Sequence, residues 1–539
     1  MRRMILWVAS AAISCSMPAA GATASLWGPD LDQREQVGRV NFPTSCTKSA
    51  QSSMDKGLAL LHSFQYAEAE ESFTGASRLD PGCALAYWGK AMALYEQLWD
   101  FPNAKTLAEG RQDLEPAQKL RVQDTRVQGY IDAAAAFYQE NARLSPVARL
   151  QAYSSAMEKL YADHPGDNEA GELYALSLIA LAQMGVRDLA NRRKAIAVLE
   201  PIFAEYPNNP GAAHYLIHAS DVPELAPEGL AAARAYAKIA PDSAHALHMP
   251  SHIFRRLGLW QEVIDSNLAS AAAAAKATNE HRGDASYQFH ALDFLDYAYL
   301  QSGQQAKARR VVEELKDVPH GGESNVIDQQ NELSARNALE LHLWKEAAAL
   351  PIPKERFSWQ DFTYWTRAIG AARSGDAAGA RSAVEKLNEI VAVRESQLSS
   401  RGPGFAGEES EESIDRSEAQ GWLAYAEGKS EQAVADLRSA ADHEDARDAE
   451  PFAMPAREML ADLLLLLRRP SEALAEYKTV LKMYPNRFDA LYGAARSADS
   501  LEDRRGAAGF YAKLISICPP NADRPELDAA RKYIASNQN

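Results

Sequence analysis

Small and apolar residues recur along this chain at the spacing of a helix face. Ala69, Phe73 and Ala76 stand four and three apart, and Pro81 closes the segment they mark. The arrangement returns as Ala473, Tyr477, Val480 and Pro485, and thirty-four residues further on as Ala507, Tyr511, Leu514 and Pro519. In the middle, Ala195, Leu199, Ile202 and Pro207 are followed by Gly229, Ala233, Tyr236 and Pro241, then by a weaker Val263, Asn267 and Ser270. Further copies read Tyr153, Met157, Leu160, Pro165; Ala308, Val312, Leu315; and Ala433, Leu437, Ala440. A period of thirty-four residues predicts antiparallel helical hairpins stacked into a solenoid. Alternating runs of valine, isoleucine and threonine are nearly absent, so the predicted fold class is all-α.

The register breaks in places. Residues 98–130 lengthen one hairpin, Met184–Arg193 adds a loop, and Thr278–Ser286 is a polar insert. Arg401–Ser413, RGPGFAGEESEES, is the best candidate for a flexible loop. The expected division is therefore a leader over 25–52, an N-terminal array over 53–400, a loop over 401–413 and C-terminal repeats over 414–539.

Composition narrows the function classes. A chain of 539 residues is too long for one ordinary core, which favours an array. Its formal net charge of -16 is dispersed, which argues against nonspecific nucleic-acid binding. Residues 1–24 read as a secretory signal: Arg2 and Arg3, an apolar run over Ile5–Ile13, and a small-residue cleavage site ending at Ala24. Lipid attachment at Cys15 is the alternative. No stretch is long and apolar enough to span a bilayer, so a periplasmic or secreted protein is expected. Of the later cysteines, Cys46 precedes the first leading helix and Cys83 follows the trailing one, and in a hairpin those ends meet. They form either a disulfide or two buried thiols. Cys518 is left over.

The candidate chemistry lies in residues 210–252, where five of the twelve histidines fall. His214 and His218 are four apart, which puts them on one helix face, and His248 and His252 repeat the pair thirty-four residues later. Neutral imidazole is the commonest protein ligand for zinc, copper and iron, and HxxxH on a helix offers two nitrogens to one ion.

The pattern Gly57, Ala69, Phe73, Ala76, Pro81 and its copies resembles the tetratricopeptide repeat. The blocks AYWGKAMALYEQLWDFP, PGAAHYLIHASD, HALHMPSHIFRRLGLW, HALDFLDYAYLQ and PNRFDALYGAARSA look like those of exported bacterial proteins of that family. The resemblance implies a right-handed α-solenoid whose leading helices turn positions 2, 5, 9 and 12 to a concave groove. In that register His245 takes position 2, His214 and His248 position 5, His218 and His252 position 9, and Asp221 position 12. Glu169 and Glu172 take positions 2 and 5 of the preceding leading helix, and His290 and Asp293 those of the following one. Four consecutive helices would thus aim imidazoles and carboxylates at one patch of wall. Copper, zinc or iron, one ion or two, could be held by the histidines, with Glu172, Asp221 and Asp293 as ligands or as acceptors orienting them. The family norm is instead a groove for a protein partner. A metal-dependent enzyme acting on a small molecule, a metal-handling protein and a metal-free interaction scaffold all remain open.

Other residues carry less. His62, His281 and His342 read as surface or packing histidines, Arg457 and Glu458 as cap residues near the groove, and Trp99 and Phe101 as packing. No phosphate-binding glycine loop, nucleophile elbow or HExxH occurs.

Overall fold

In the computed structural model of the chain, residues 36–98, 101–140, 144–184, 188–280, 285–318, 323–353, 360–400, 411–446 and 453–537 are described. The expected signal over 1–24, Cys15, Trp99, His281 and most of the 401–413 loop lie outside them. Among the described residues there are twenty-six α-helical segments and no strand. No helix among them is long and apolar enough to cross a membrane.

The helices stack as antiparallel hairpins because each trailing helix buries the face that the repeat marked. Ala69, Phe73, Ala76, Tyr153, Met157, Ala195, Leu199, Ala233, Tyr236, Ala433, Leu437, Ala473, Tyr477, Ala507 and Leu514 are all buried. The close approach has a steric cause at Gly57, where a Cβ would come within 2.8 Å of the Phe73 ring. The insert over 98–130 is more than a lengthened hairpin. It supplies a helix of its own, Ala104–Lys119, capped by the Asn103 side chain on the Lys105 and Thr106 amides. A further pair follows, Thr125–Tyr138 and Pro146–Asp163.

Cys46 and Cys83 form a disulfide with Cα atoms 4.9 Å apart, joining the start of the first hairpin to the start of the next helix. Cys518 is half-buried, and burial pushes its thiol up to about 12.

Two long-range contacts bend the array back on itself. At one end the first hairpin, Lys48–His62 and Tyr66–Leu79, packs against the helix Pro210–Ser220 and the helices after it. Arg39 donates its amide to Asn208 O at 3.1 Å, Tyr236 donates its hydroxyl to Ser63 Oγ at 3.1 Å, and Tyr287 donates to Phe64 O at 3.1 Å. At the other end Trp260 Nε1 donates to Asn486 O at 2.8 Å and Asn486 Nδ2 to Gly258 O at 3.0 Å. A groove that the register predicts as concave and accessible is therefore filled, at the level of the histidines, by the turn after His62. Phe64 in that turn is 2 % exposed and adopts φ +56°.

Candidate metal centre

Four consecutive leading helices build the wall: Asn168–Ala182, Pro210–Ser220, the pair Ala244–His248 and Pro250–Arg256, and Ser286–Gln301. The third is one helix interrupted at Met249. Pro250 has no N–H to return to the preceding turn, so the hydrogen-bond ladder lapses there while Met249 keeps helical angles of φ -51° and ψ -36°. His248 and His252 remain on one face across the break.

The six expected histidines fall into two groups of three. In each group one ring nitrogen per residue lies within 4.8 Å of the others: His214, His218 and His245 in the inner group, and His248, His252 and His290 in the outer. Each group surrounds one phenylalanine. Phe64 has ring centroids 4.5, 5.6 and 5.5 Å from His214, His218 and His245. Phe294 lies 4.6, 4.9 and 5.2 Å from His248, His252 and His290. The groups adjoin, with His218 6.4 Å from His252 and His245 6.5 Å from His248 by ring centroids.

Hydrogen bonds fix which nitrogen faces inward. Asn267 Nδ2 donates to Val263 O at 2.8 Å, which turns its Oδ1 to His248 Nδ1 at 2.7 Å. Asp221 Oδ2 lies 3.0 Å from His252 Nδ1, and its Oδ1 accepts from Arg256 Nε at 2.9 Å. Both partners are acceptors, so each imidazole carries its proton on Nδ1 and turns a bare Nε2 inward when neutral. Those two Nε2 atoms are 3.0 Å apart. Two lone pairs so placed repel unless a proton or a cation lies at them, and ligands at about 2.0–2.1 Å from one ion stand about 3 Å from each other. In the inner group His214 Nδ1 donates to the main-chain oxygen of His62 at 2.6 Å, and its Nε2 meets His245 Nε2 at 3.0 Å. His218 Nε2 is buried with no hydrogen-bond partner among the described residues.

The electrostatics agree with the neutral form. Burial, and then the neighbouring imidazoles, push His214 down to about 3 and hold His218, His245 and His248 well below the usual imidazole range. His290 leaves much of its surface in solvent while its ring reaches into the cluster, and it is pushed down to about 4 by desolvation and by His252. Burial would raise the Asp221 carboxyl, but Arg256 and His252 outweigh it and hold the carboxylate ionised. The two groups differ in access at one member: each has a buried and a half-buried histidine, His214 and His218 in the inner and His248 and His252 in the outer, but the third is buried in the inner group, His245, and exposed in the outer, His290.

The expected carboxylates take different places. Asp221 orients His252. Asp293 is paired with Arg336 at 2.6 Å, beside Asp296. Glu169 and Glu172 face His62 instead of the six histidines. Glu458 is bound by the buried Arg487. Arg457 bonds Asp445 and Glu476. Phe101 is 36 % exposed. His62, read as an ordinary histidine, is fully buried and supplies the carbonyl that orients His214. Neither it nor Phe64 carries a local signal, because both arrive from the first hairpin. Asn267 did carry one: an asparagine where the other copies of the repeat carry an apolar or aromatic side chain.

The tetratricopeptide repeat pattern matches residues 54–112, 418–485 and 458–522. No curated protein sequence matches the chain. Among solved structures the chain is similar to the P58(IPK) TPR domain, at 13% identity over 91% of this chain and 99% of that one, with a TM-score of 0.21. It is also similar to Naa15/Naa10 bound to HypK-THB, at 12% identity over 91% and 92%, TM-score 0.24. A third is the APC/C hetero-tetramer Cut9-Hcn1, at 11% identity over 92% and 90%, TM-score 0.29. These likenesses have no bearing on the histidines. With the repeat recognised near both ends of the array and helical hairpins stacked between, the fold is an all-α, tetratricopeptide-like solenoid.

Proposed function

We propose that this repeat protein binds two transition-metal ions, one in each three-histidine group, and that the outer ion is the functional one. One observation carries the reading: His248 and His252, each with Nδ1 held by an acceptor, turn Nε2 atoms toward each other at 3.0 Å. The ligands on offer are all imidazole, with no thiolate or carboxylate in either group, which suits copper, zinc or iron. The inner group is covered by Phe64, with His214 and His245 buried and His218 half-buried, as suits a site that only holds an ion. The outer group opens to solvent at His290 and can keep a coordination position for water, oxygen or a small-molecule substrate. Metal-dependent catalysis or metal handling both use such an opening. We place the protein outside the cytoplasm, a proposal supported by the signal-like residues 1–24 and the Cys46–Cys83 disulfide.

The test is elemental analysis of untagged protein beside a His248→Ala/His252→Ala variant. Two equivalents of copper, zinc or iron in the parent and about one in the variant are expected. No metal in either after reconstitution would overturn the reading.

The repeat itself favours a second reading, a protein-interaction scaffold. Under it the docking surface lies away from the inner histidines, whose wall is already covered by the turn of the first hairpin.

A further inference from the structure

The histidine groups leave one buried cluster of chemistry without a role. His62, Glu169 and Glu172 are 0, 1 and 0 % exposed, and each offers one ligand atom within 4.8 Å of the others. His62 Nε2 lies 2.7 Å from Glu169 Oε2 and 3.4 Å from Glu172 Oε2.

Two carboxylates brought this close out of water need compensation. Their surroundings supply little. Asn209 Nδ2 donates to Glu172 Oε1 at 2.6 Å, and the Tyr215 hydroxyl meets His62 Nδ1 at 2.9 Å. Among the described residues no lysine or arginine bonds either carboxylate, and Arg126 is committed to Asp167 at 2.6 Å. Glu169 Oε1 and Glu172 Oε2 are buried with no hydrogen-bond partner among the described residues. One imidazole therefore stands against two carboxylates, with two acceptor oxygens unanswered.

We infer that His62, Glu169 and Glu172 form a third cation site, distinct from the two histidine groups, for one divalent ion of the oxygen-preferring class such as Mn(II). The donor set is two carboxylates and one nitrogen, against three nitrogens in each histidine group, and harder cations favour oxygen. The Tyr215 hydroxyl can accept a hydrogen bond from Nδ1–H, which selects the tautomer whose Nε2 is free to bind the ion. The ion takes the place of the proton that two adjacent carboxyls would otherwise share. The position matters because the carbonyl of the same His62 accepts from His214 Nδ1, so an ion here steadies a residue of the inner group.

The experiment uses the full chain and Mn(II) alone, followed by elemental analysis and by electron paramagnetic resonance of bound Mn(II). The parent is expected to hold one Mn(II) showing coupling to a single imidazole nitrogen. Glu169→Gln/Glu172→Gln is expected to bind at least about 100-fold more weakly, on the scale of losing metal-site partners. His248→Ala/His252→Ala is expected to bind Mn(II) as the parent does, which separates this site from the histidine reading. No Mn(II) in the parent, equal Mn(II) in the glutamine variant, or coupling to several imidazoles would each overturn the inference. The coupling is read on the parent, so it decides even where the glutamine variant does not fold.

Discussion

The inner surface of this array is built in two ways, and the contrast shows which polar cluster is complete. Toward the C-terminal end, Arg487 is fully buried and bonds Glu458 at 2.7 and 2.9 Å, Glu340 at 2.7 Å and the Tyr297 hydroxyl at 2.8 Å. Every nitrogen of that guanidinium has a partner of the right kind. Burial raises the Glu458 carboxyl even against the pull of Arg487, so the cluster depends on staying intact. Toward the middle, the equivalent wall carries imidazoles whose outer nitrogens are held and whose inner ones point at one another. The first arrangement is a finished ion-pair network that joins distant hairpins. The second leaves acceptor nitrogens facing one another with no donor between them.

The largest way to break the comparison is at the finished cluster. Replacing Arg487 with Met strands two buried carboxylates and should cost about 3–5 kcal/mol. The loss is read as a lower urea midpoint, with metal content unchanged. Next comes metal removal. A chelator should destabilise the parent by up to about 4 kcal/mol for each ion held at a thousandfold excess over its dissociation constant. The drop in melting temperature should shrink in His248→Ala/His252→Ala, and an equal drop in both would count against the outer site.

The third test is pH dependence. His214 titrates at about 3 in the fold against about 6.5 unfolded, so between those values the unfolded chain binds more protons. Its contribution is complete above pH 6.5 and is lost as pH falls toward 3, at up to about 1.4 kcal/mol per pH unit. Metal-free parent should therefore lose stability on acidification faster than metal-free His214→Gln. The raised carboxyls of Asp296 and Asp489, each at about 7, work in the opposite direction but are common to both proteins and cancel in the difference. The smallest effect is expected at Asn267. Asn267→Leu removes the acceptor that orients His248 and should weaken metal binding about 10–100-fold without changing the number of ions at saturation.

Much of this was legible in the sequence, and the reasons are local. Helix-face periodicity and a thirty-four-residue register need only neighbours in the chain, so the hairpins and the grouping of His214, His218, His245, His248, His252 and His290 follow from spacing. Asp221 could be placed because it sits one turn beyond His218 on the same wall. Glu172 and Asp293 could not, since their partners, His62 and Arg336, come from other hairpins and the register does not say how far the array curls. His62 itself gave no sign: a single histidine at a helix end looks ordinary until another helix docks on it.

That docking sets a condition on biosynthesis. The carbonyl of His62 and the ring of Phe64 leave the ribosome some 150 residues before the imidazoles they serve. The Cys46–Cys83 crosslink can keep this early piece shaped while it waits. A fragment beginning after Cys83 would retain every histidine of both trios yet lack the lid and the backbone oxygen that aim the inner one. Competence at that pocket is thus conferred by the chain's opening residues, and proteolytic trimming from the front would disarm it without touching a single ligand.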